Sequence, residues 1–296
     1  MTRRRGRFHS KKSPLYLEEI FQDVDVPGTL YTKEERGKSD LFLGLYKKDD
    51  MMDLLSQAGI LDILYGKGYR NLIVTVSRSE TYISRLYVNF DRLDKGTRLI
   101  ELLVRESLFK PKKTFVKNID LSKGFSTLTI EWLSLQSPKE SFSKDKPRLP
   151  SQIHPGLGGL RNIQEMLFTL TSSIEREAIL DIPEHYHGAV IYSKIYSFFS
   201  PIDGGKLRAM MRDFKDSPLA DVSYAVSYGC LINKMTGEHE LMRPSEQVYP
   251  ISKRLQEYVT CSEYQKILEE SARSVKYAID WEKYQTLLKE GVFDEV

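Results

Sequence analysis

The spacing of apolar residues changes character along the chain. In DDMMDLLSQAGILDILYGKGY, Met52, Leu54, Leu55, Ile60, Leu61 and Leu64 recur at helical intervals. Asp49 or Asp50 is placed to cap the start, and Gly66 and Gly68 to end the pattern, so one helix is predicted. The next segments, NLIVTVSRS, TYISRLYVNF, TRLIELLVRESLF and FSTLTIEWLSLQ, are rich in Val, Ile, Leu, Thr and aromatics and are separated by Gly, Asp, Lys and Ser turns. Those connections are too short for helical crossovers, which predicts a mostly antiparallel sheet. Alternation in the last segment sets Leu128, Ile130, Trp132 and Ser134 on one face and Thr129, Glu131, Leu133 and Leu135 on the other.

SPKESFSKDK, residues 137–146, reads as a polar linker. It leads to RLPSQIHPGLGGLRNIQEMLFTL, a loop with two prolines and three glycines that turns directly into a helical pattern near Leu160. Ala178 to Ile182 follow as a short apolar strand, Pro183 breaks it, and HYHGAVIYSKIYSFF resumes helical spacing. Beyond Pro201 the pattern is almost wholly helical, in GGKLRAMMRDF, LADVSYAVSYGCLIN, ISKRLQEYV, SEYQKILEESARSVKYAI and WEKYQTLLKEGV. Near the N-terminus, LYLEEIFQDV reads as a short element and TKEERGKSD as a loop. The division expected is a frayed basic arm over 1–14, an α/β domain over 15–200 and a helical extension over 201–296 packed on that domain. No internal repeat of fixed period is present.

Composition narrows the class. With 41% apolar residues the chain can bury a core, and no run of about eighteen apolar residues is present to span a bilayer. MTRRRGRFHSKK lacks the apolar region and cleavage site of a secretory signal. Net charge is +3, from 44 basic and 41 acidic residues, so no global cationic field marks a dedicated nucleic-acid binder. Cys230 and Cys261 lack CxxC spacing and fit reduced thiols in a cytoplasmic protein, with Cys230 inside an apolar helix.

The loop offers the first chemistry. Gly156, Gly158 and Gly159 allow positive φ and close approach of backbone amides to a ligand. A helix starting near Leu160 aims unpaired N–H groups and its positive end at the same place, which suits phosphate or pyrophosphate. The sequence is neither a Walker A loop nor a GxGxxG fingerprint, since no GK[ST] follows and the third glycine position is Arg161. A turn joining sheet to helix and holding nothing fits the same residues.

Read together, LTIEWLSLQSP, QIHPGLGGLRNIQEMLFTL and AILDIPEHYHGAVIYSKIYSF resemble the core of the GNAT acyltransferase superfamily over Leu128 to Phe199. That family has a strand ending in a splayed L-x-V-x-P type sequence, a [QR]-x-x-G-x-[GA] loop, a helix, a strand and a helix reading N-x-x-A-x-x-L-Y-x-K-L-G-F. His185 stands at the Asn position, Gly188 at the Ala, Ile191 at the Leu, and Tyr192, Lys194 and Ile195 at the Y, K and L. The resemblance implies a mixed, mostly antiparallel twisted sheet flanked by helices, with acetyl-CoA or another acyl-CoA as co-substrate. It implies that amides between Pro155 and Arg161, from Gly156, Leu157, Gly158, Gly159, Leu160 and Arg161, bind the pyrophosphate, joined by Gln152, His154 and His185. The strand carrying Leu133 and Leu135 would bind the pantetheine arm through its backbone, and the Arg161 side chain could add a phosphate contact or stay an exposed helix charge.

Transfer of an acyl group to an amine needs a base for the amine and an acid for the departing thiolate. Glu131 lies where some family members place the base, and burial beside Trp132 would raise its pKa; a solvent-facing strand glutamate is the plainer alternative. Tyr192 lies where the family often supplies the thiolate's proton, or is simply an amphipathic helix tyrosine. Glu184, His185 and His187 lack a second half for a metal shell, so no metal is expected, and the histidines would line the acceptor side or bond the neighbouring loop. The function expected is an acyl-CoA-dependent N-acyltransferase acting on a small-molecule or peptide amine. A GNAT-shaped binding or regulatory protein without turnover is the alternative, because Gln152 stands one residue farther from Gly156 than the family spacing. The C-terminal helices could cover the cleft or form a homodimer face.

Overall fold

The computed structural model describes residues 21–22, 39–78 and 82–294. The basic arm, most of LYLEEIFQDV and nearly all of TKEERGKSD lie outside the described residues. After the two-residue strand β1 (Phe21–Gln22) come helices α1 (Lys48–Gln57) and α2 (Ile60–Gly66). These two replace the single predicted helix. Ala58 caps the first and Gly59, at φ 72°, turns the chain in the left-handed region before the second. The cap position falls on Lys47 rather than on Asp49 or Asp50, and Asp50, inside the first turn, accepts the Lys47 N–H with its carboxylate at 2.7 Å.

Strands β2 (Leu72–Arg78), β3 (Ile83–Phe90), β4 (Arg98–Phe109) and β5 (Phe125–Leu135) form an antiparallel meander; the short turns on either side of β3 require it, whereas the longer connection over 110–124 joins β4 to an equally antiparallel β5. A long connection then carries helix α3 (Leu160–Ser173) and returns the chain as β6 (Ala178–Asp181), parallel to β5. The remaining elements are α4 (Tyr186–Tyr192), β7 (Ser197–Phe198), α5 (Pro201–Asp213), α6 (Leu219–Ser227), β8 (Leu231–Asn233), β9 (Gln247–Pro250), α7 (Lys253–Thr260), α8 (Ser262–Ser274), β10 (Tyr277–Ile279) and α9 (Trp281–Lys289). Seven strands of the main sheet run in the order β2-β3-β4-β5-β6-β9-β7, and β1 pairs with the far end of β4. The fold is therefore mixed α/β with a mostly antiparallel sheet.

The C-terminal hundred residues are less uniformly helical than their pattern predicts. β9 enters the main sheet between β6 and β7, while β8 and β10 make a small separate pair. Strands of three or four residues are too short to display a period. Cys230 is likewise not in a helix. α6 ends at Ser227, Gly229 turns at φ 72°, and Cys230 is fully buried just before β8.

Ile163, Met166, Leu167 and Leu170 form the buried stripe of α3, packed with Met51, Leu55, Ile60 and Leu64 on one face of the meander. The opposite face carries Phe109, Phe125, Ala178, Leu180 and Val248 under Tyr258 and Tyr264 of α7 and α8. A third cluster, including Leu207, Val222, Val226 and Tyr284, binds the C-terminal helices together.

One ion triad lies inside this packing. Glu106 of β4 accepts from Arg78 and Arg176, both at 2.6 Å, and all three side chains are 3–6% exposed. Removing the carboxylate would strand two buried guanidiniums. Glu106→Gln is expected to lower unfolding free energy by about 3–5 kcal/mol in a urea titration; a change under about 1 kcal/mol would mean that the arginines find other acceptors.

Candidate functional site at the strand divergence

The β5–β6 ladder is short. Thr127, Leu128 and Thr129 pair with Ala178, Ile179 and Leu180, and beyond them β5 continues for six residues with β4 alone beside it. Two features shape this free stretch. The first is a bulge: Trp132 faces Leu103 and Ile130 faces Val104, so Glu131 is an extra residue without a partner in β4. The extra residue shifts the alternation. Leu133 and Leu135 join Leu128 and Ile130 against the α3 side, and Trp132 swings out to 51% exposure, which reverses the sequence-based division of faces beyond position 130.

The second feature is the glycine loop, which docks on the end of β5. Ser137 N–H donates to Pro155 O at 2.8 Å and Leu157 N–H to Leu135 O at 3.2 Å, around a bridge between Gln136 and Gly156. Gln136 N–H donates to Leu99 O on the β4 side, so Leu135 and, two residues earlier, Leu133 present their backbone polar groups toward the divergence. Leu157 anchors the loop in the core at 4% exposure. Among the described residues the amides of Gly156, Gly158 and Gly159 have no acceptor, nor do the first-turn amides of Leu160 and Arg161, which precede the first helical bond from Ile163 N–H to Gly159 O. Gly158 has φ 82° and open space where a Cβ would stand. The loop thus spends one amide on docking and leaves its neighbours without a backbone acceptor among the described residues.

The other predicted loop residues divide. Gln152 turns inward, its Oε1 accepting the Leu149 N–H at 3.1 Å while its own carbonyl accepts from Arg148, so its side chain builds the turn. His154 is half-buried beside Pro155. The Arg161 side chain is 90% exposed and pairs with Glu165 at 3.2 Å. His185, the N-cap residue of α4, bonds Ser151 at the loop's start at 2.8 Å and Ser227 at 3.2 Å, as expected of a histidine that ties down the loop. His187 stacks on it, centroids 5.4 Å apart, and bonds Ser223 at 2.7 Å. Burial lowers the pKa of His185, and at His187 burial, reinforced by the adjacent His185 imidazole, takes it down to about 4. No cluster of three or more potential metal ligands occurs among the described residues.

A cavity of about 390 Å³ lies over β6 and β9, walled by Arg161, Gln164 and Phe168 of α3, Ile179, Tyr196 and Tyr249. Its aromatic wall continues to Tyr192, which meets Tyr196 edge-on at 5.3 Å. Burial, with the Asp181 charge beside it, pushes Tyr192 far above its ordinary pKa. Glu131 is engaged elsewhere. Arg105 grips its carboxylate at 2.8 Å, and Arg105 belongs with Ser107 and Phe109 to the face opposite α1–α3. The two residues expected to share proton transfer are therefore held by different partners.

Sequence reasoning passed over Asp181. It ends an otherwise apolar strand, AILD, and an acid closing a fully buried run is a detectable signal. No family model matches the chain, and no curated protein matches it.

The histidine pair makes a pH prediction. A His187 pKa lowered to about 4 in the fold means that the unfolded chain binds more protons between about 4 and 6.5, so this group's stabilisation is present above that window and lost as pH falls through it. His187→Asn should flatten the fall in melting temperature across that range; an unchanged slope would mean that His187 does not titrate there.

Proposed function

We propose that this chain is a GNAT-like N-acyltransferase that transfers an acetyl or other acyl group from coenzyme A to an amine. The observation that carries the proposal is the docked loop from Gly156 to Arg161, whose unspent amides lie at the open end of the β5–β6 pair. A pyrophosphate there would receive several N–H donors and the positive end of α3, a fourteen-residue helix. The pantetheine arm would pair with the free backbone groups of Leu133 and Leu135, and the thioester would then lie toward Tyr192.

In the reaction the amine nitrogen bonds to the thioester carbon, the carbon–sulfur bond breaks, and sulfur takes a proton. Tyr192 supports this step as the donor. Trp132, exposed next to the bulge, would flank the acceptor.

A second reading is favoured by the Arg105–Glu131 ion pair and by the inward turn of Gln152: a protein that binds acyl-CoA and transfers nothing. Calorimetry with acetyl-CoA tests what both share. Wild type should bind, and Gly158→Glu, which sets a carboxylate among the amides, should weaken binding at least about tenfold. Absence of binding to wild type would overturn both readings. Thiol release with a panel of amines separates them: Tyr192→Phe should slow turnover by about 10²-fold with little change in acetyl-CoA affinity.

A further inference from the structure

Ahead of the glycine loop the chain makes a β-turn over 149–152, closed by the Gln152 N–H donating to Leu149 O at 3.1 Å. Pro150 stands at the second position, which its fixed φ suits, and Ser151 at the third, with φ 66°. A positive φ at that position favours glycine, since a Cβ there strains the backbone. The serine is exposed, and its hydroxyl meets His185 Nε2 at 2.8 Å.

The His185 ring is fixed from two further sides. Ser227 Oγ lies 3.2 Å from Nδ1, and the His187 ring stacks on it at an interplanar angle of 11°, itself bonded to Ser223 at 2.7 Å. The tautomer with its proton on Nδ1 donates to Ser227 and leaves Nε2 to accept from the Ser151 hydroxyl. A hydroxyl within hydrogen-bond reach of a base, with the base oriented by another group, is the arrangement that activates a nucleophile.

The surroundings narrow the substrate. The charge that acts on His185 is the exposed Glu184 carboxylate, which favours an imidazolium as it forms and disfavours an anionic substrate such as a phosphate ester. Ile153, two residues from Ser151, is 72% exposed and offers an apolar contact. An uncharged carboxylic ester fits both features.

We propose that Ser151 and His185 form a nucleophile and base that hydrolyse uncharged carboxylic esters. Ser151 Oγ bonds to the ester carbon as its proton passes to His185 Nε2. The bond from that carbon to the alcohol oxygen breaks, and His185 returns the proton to the departing oxygen. Water then attacks the acyl-serine and gives a proton to His185, which passes it to Ser151 Oγ as the carboxylic acid leaves. Ester and water thus become acid and alcohol, with no other reactant. Ser227 is a positioning residue, acting through the His185 ring. The site stands apart from coenzyme A binding.

Two probes test this, p-nitrophenyl acetate and a biotinylated alkyl fluorophosphonate, in which Ser151 Oγ would bond to phosphorus and expel fluoride. Wild type should release a burst of about one nitrophenolate per chain. The phosphonate should appear on the tryptic peptide 149–161, in which Ser151 carries the only hydroxyl. Ser151→Gly suits the turn and should fold while losing burst and adduct. Glutamine at position 185 can still hydrogen-bond Ser151 and Ser227 but cannot take a proton, so His185→Gln should slow both reactions by at least about 10²-fold. Wild type with neither burst nor adduct, or a His185→Gln variant as reactive as wild type, would overturn the proposal and leave the pair as a tie between loop and α4. Should His185→Gln not fold, the wild-type adduct decides, and a phosphonate mapped to any other residue overturns the proposal. None of these outcomes depends on acetyl-CoA, so this proposal and the acyl-transfer reading fail separately.

Discussion

Parallel pairing of β5 with β6 over three residues, and no farther, is the constraint on which the rest of the site depends. Parallel neighbours cannot be joined by a tight turn, so the chain must leave the sheet, cross over it and return. That excursion supplies the linker, the glycine loop and α3. Because pairing stops at Thr129 and Leu180, the later residues of β5 keep polar backbone groups that β6 does not satisfy. The loop meets part of that demand by docking at Leu135 and Ser137. What remains open is a short backbone edge beside a helix N-terminus.

The bulge at Glu131 and the burial of Asp181 act on opposite sides of this opening. Inserting one residue turns Leu133 and Leu135 into the core and sends the Glu131 carboxylate to Arg105, where it is neutralised. No cation pairs with Asp181 among the described residues, and burial raises its carboxyl to about 7 instead. One sheet thus holds two carboxyls with opposite treatments, one paired with an arginine and one buried without a cation. The second lies with the tyrosines, and an unpaired buried group of that kind carries a stability cost that packing elsewhere must offset.

Much of the frame was legible in the chain. The first three strands of the meander followed from β-rich segments with short polar turns, and α3 from a stripe at Ile163, Met166, Leu167 and Leu170 preceded by glycines. The histidine link from His185 to the loop was also within reach. Less was legible where one residue decides a geometry. Strict alternation placed Trp132 with Leu128, because nothing in TIEWLSL announces a bulge that depends on register with Leu103 and Val104. Gln152 looked available for a ligand, yet Leu149, three residues away, takes its side chain. β9 was hidden because a four-residue strand has no period to show.

By itself the sequence determined the local preferences: which segments pleat, which coil, where glycine permits a turn and which residue types stand ready for acid–base work. Those follow from interactions between residues a few positions apart. Tertiary structure decided which of the candidates share a space. Glu131 met Arg105 across β4, and Asp181 met Tyr192, Tyr196 and Gln247 across β9 and α4, because ion pairing and desolvation depend on neighbours that only the folded sheet brings within range.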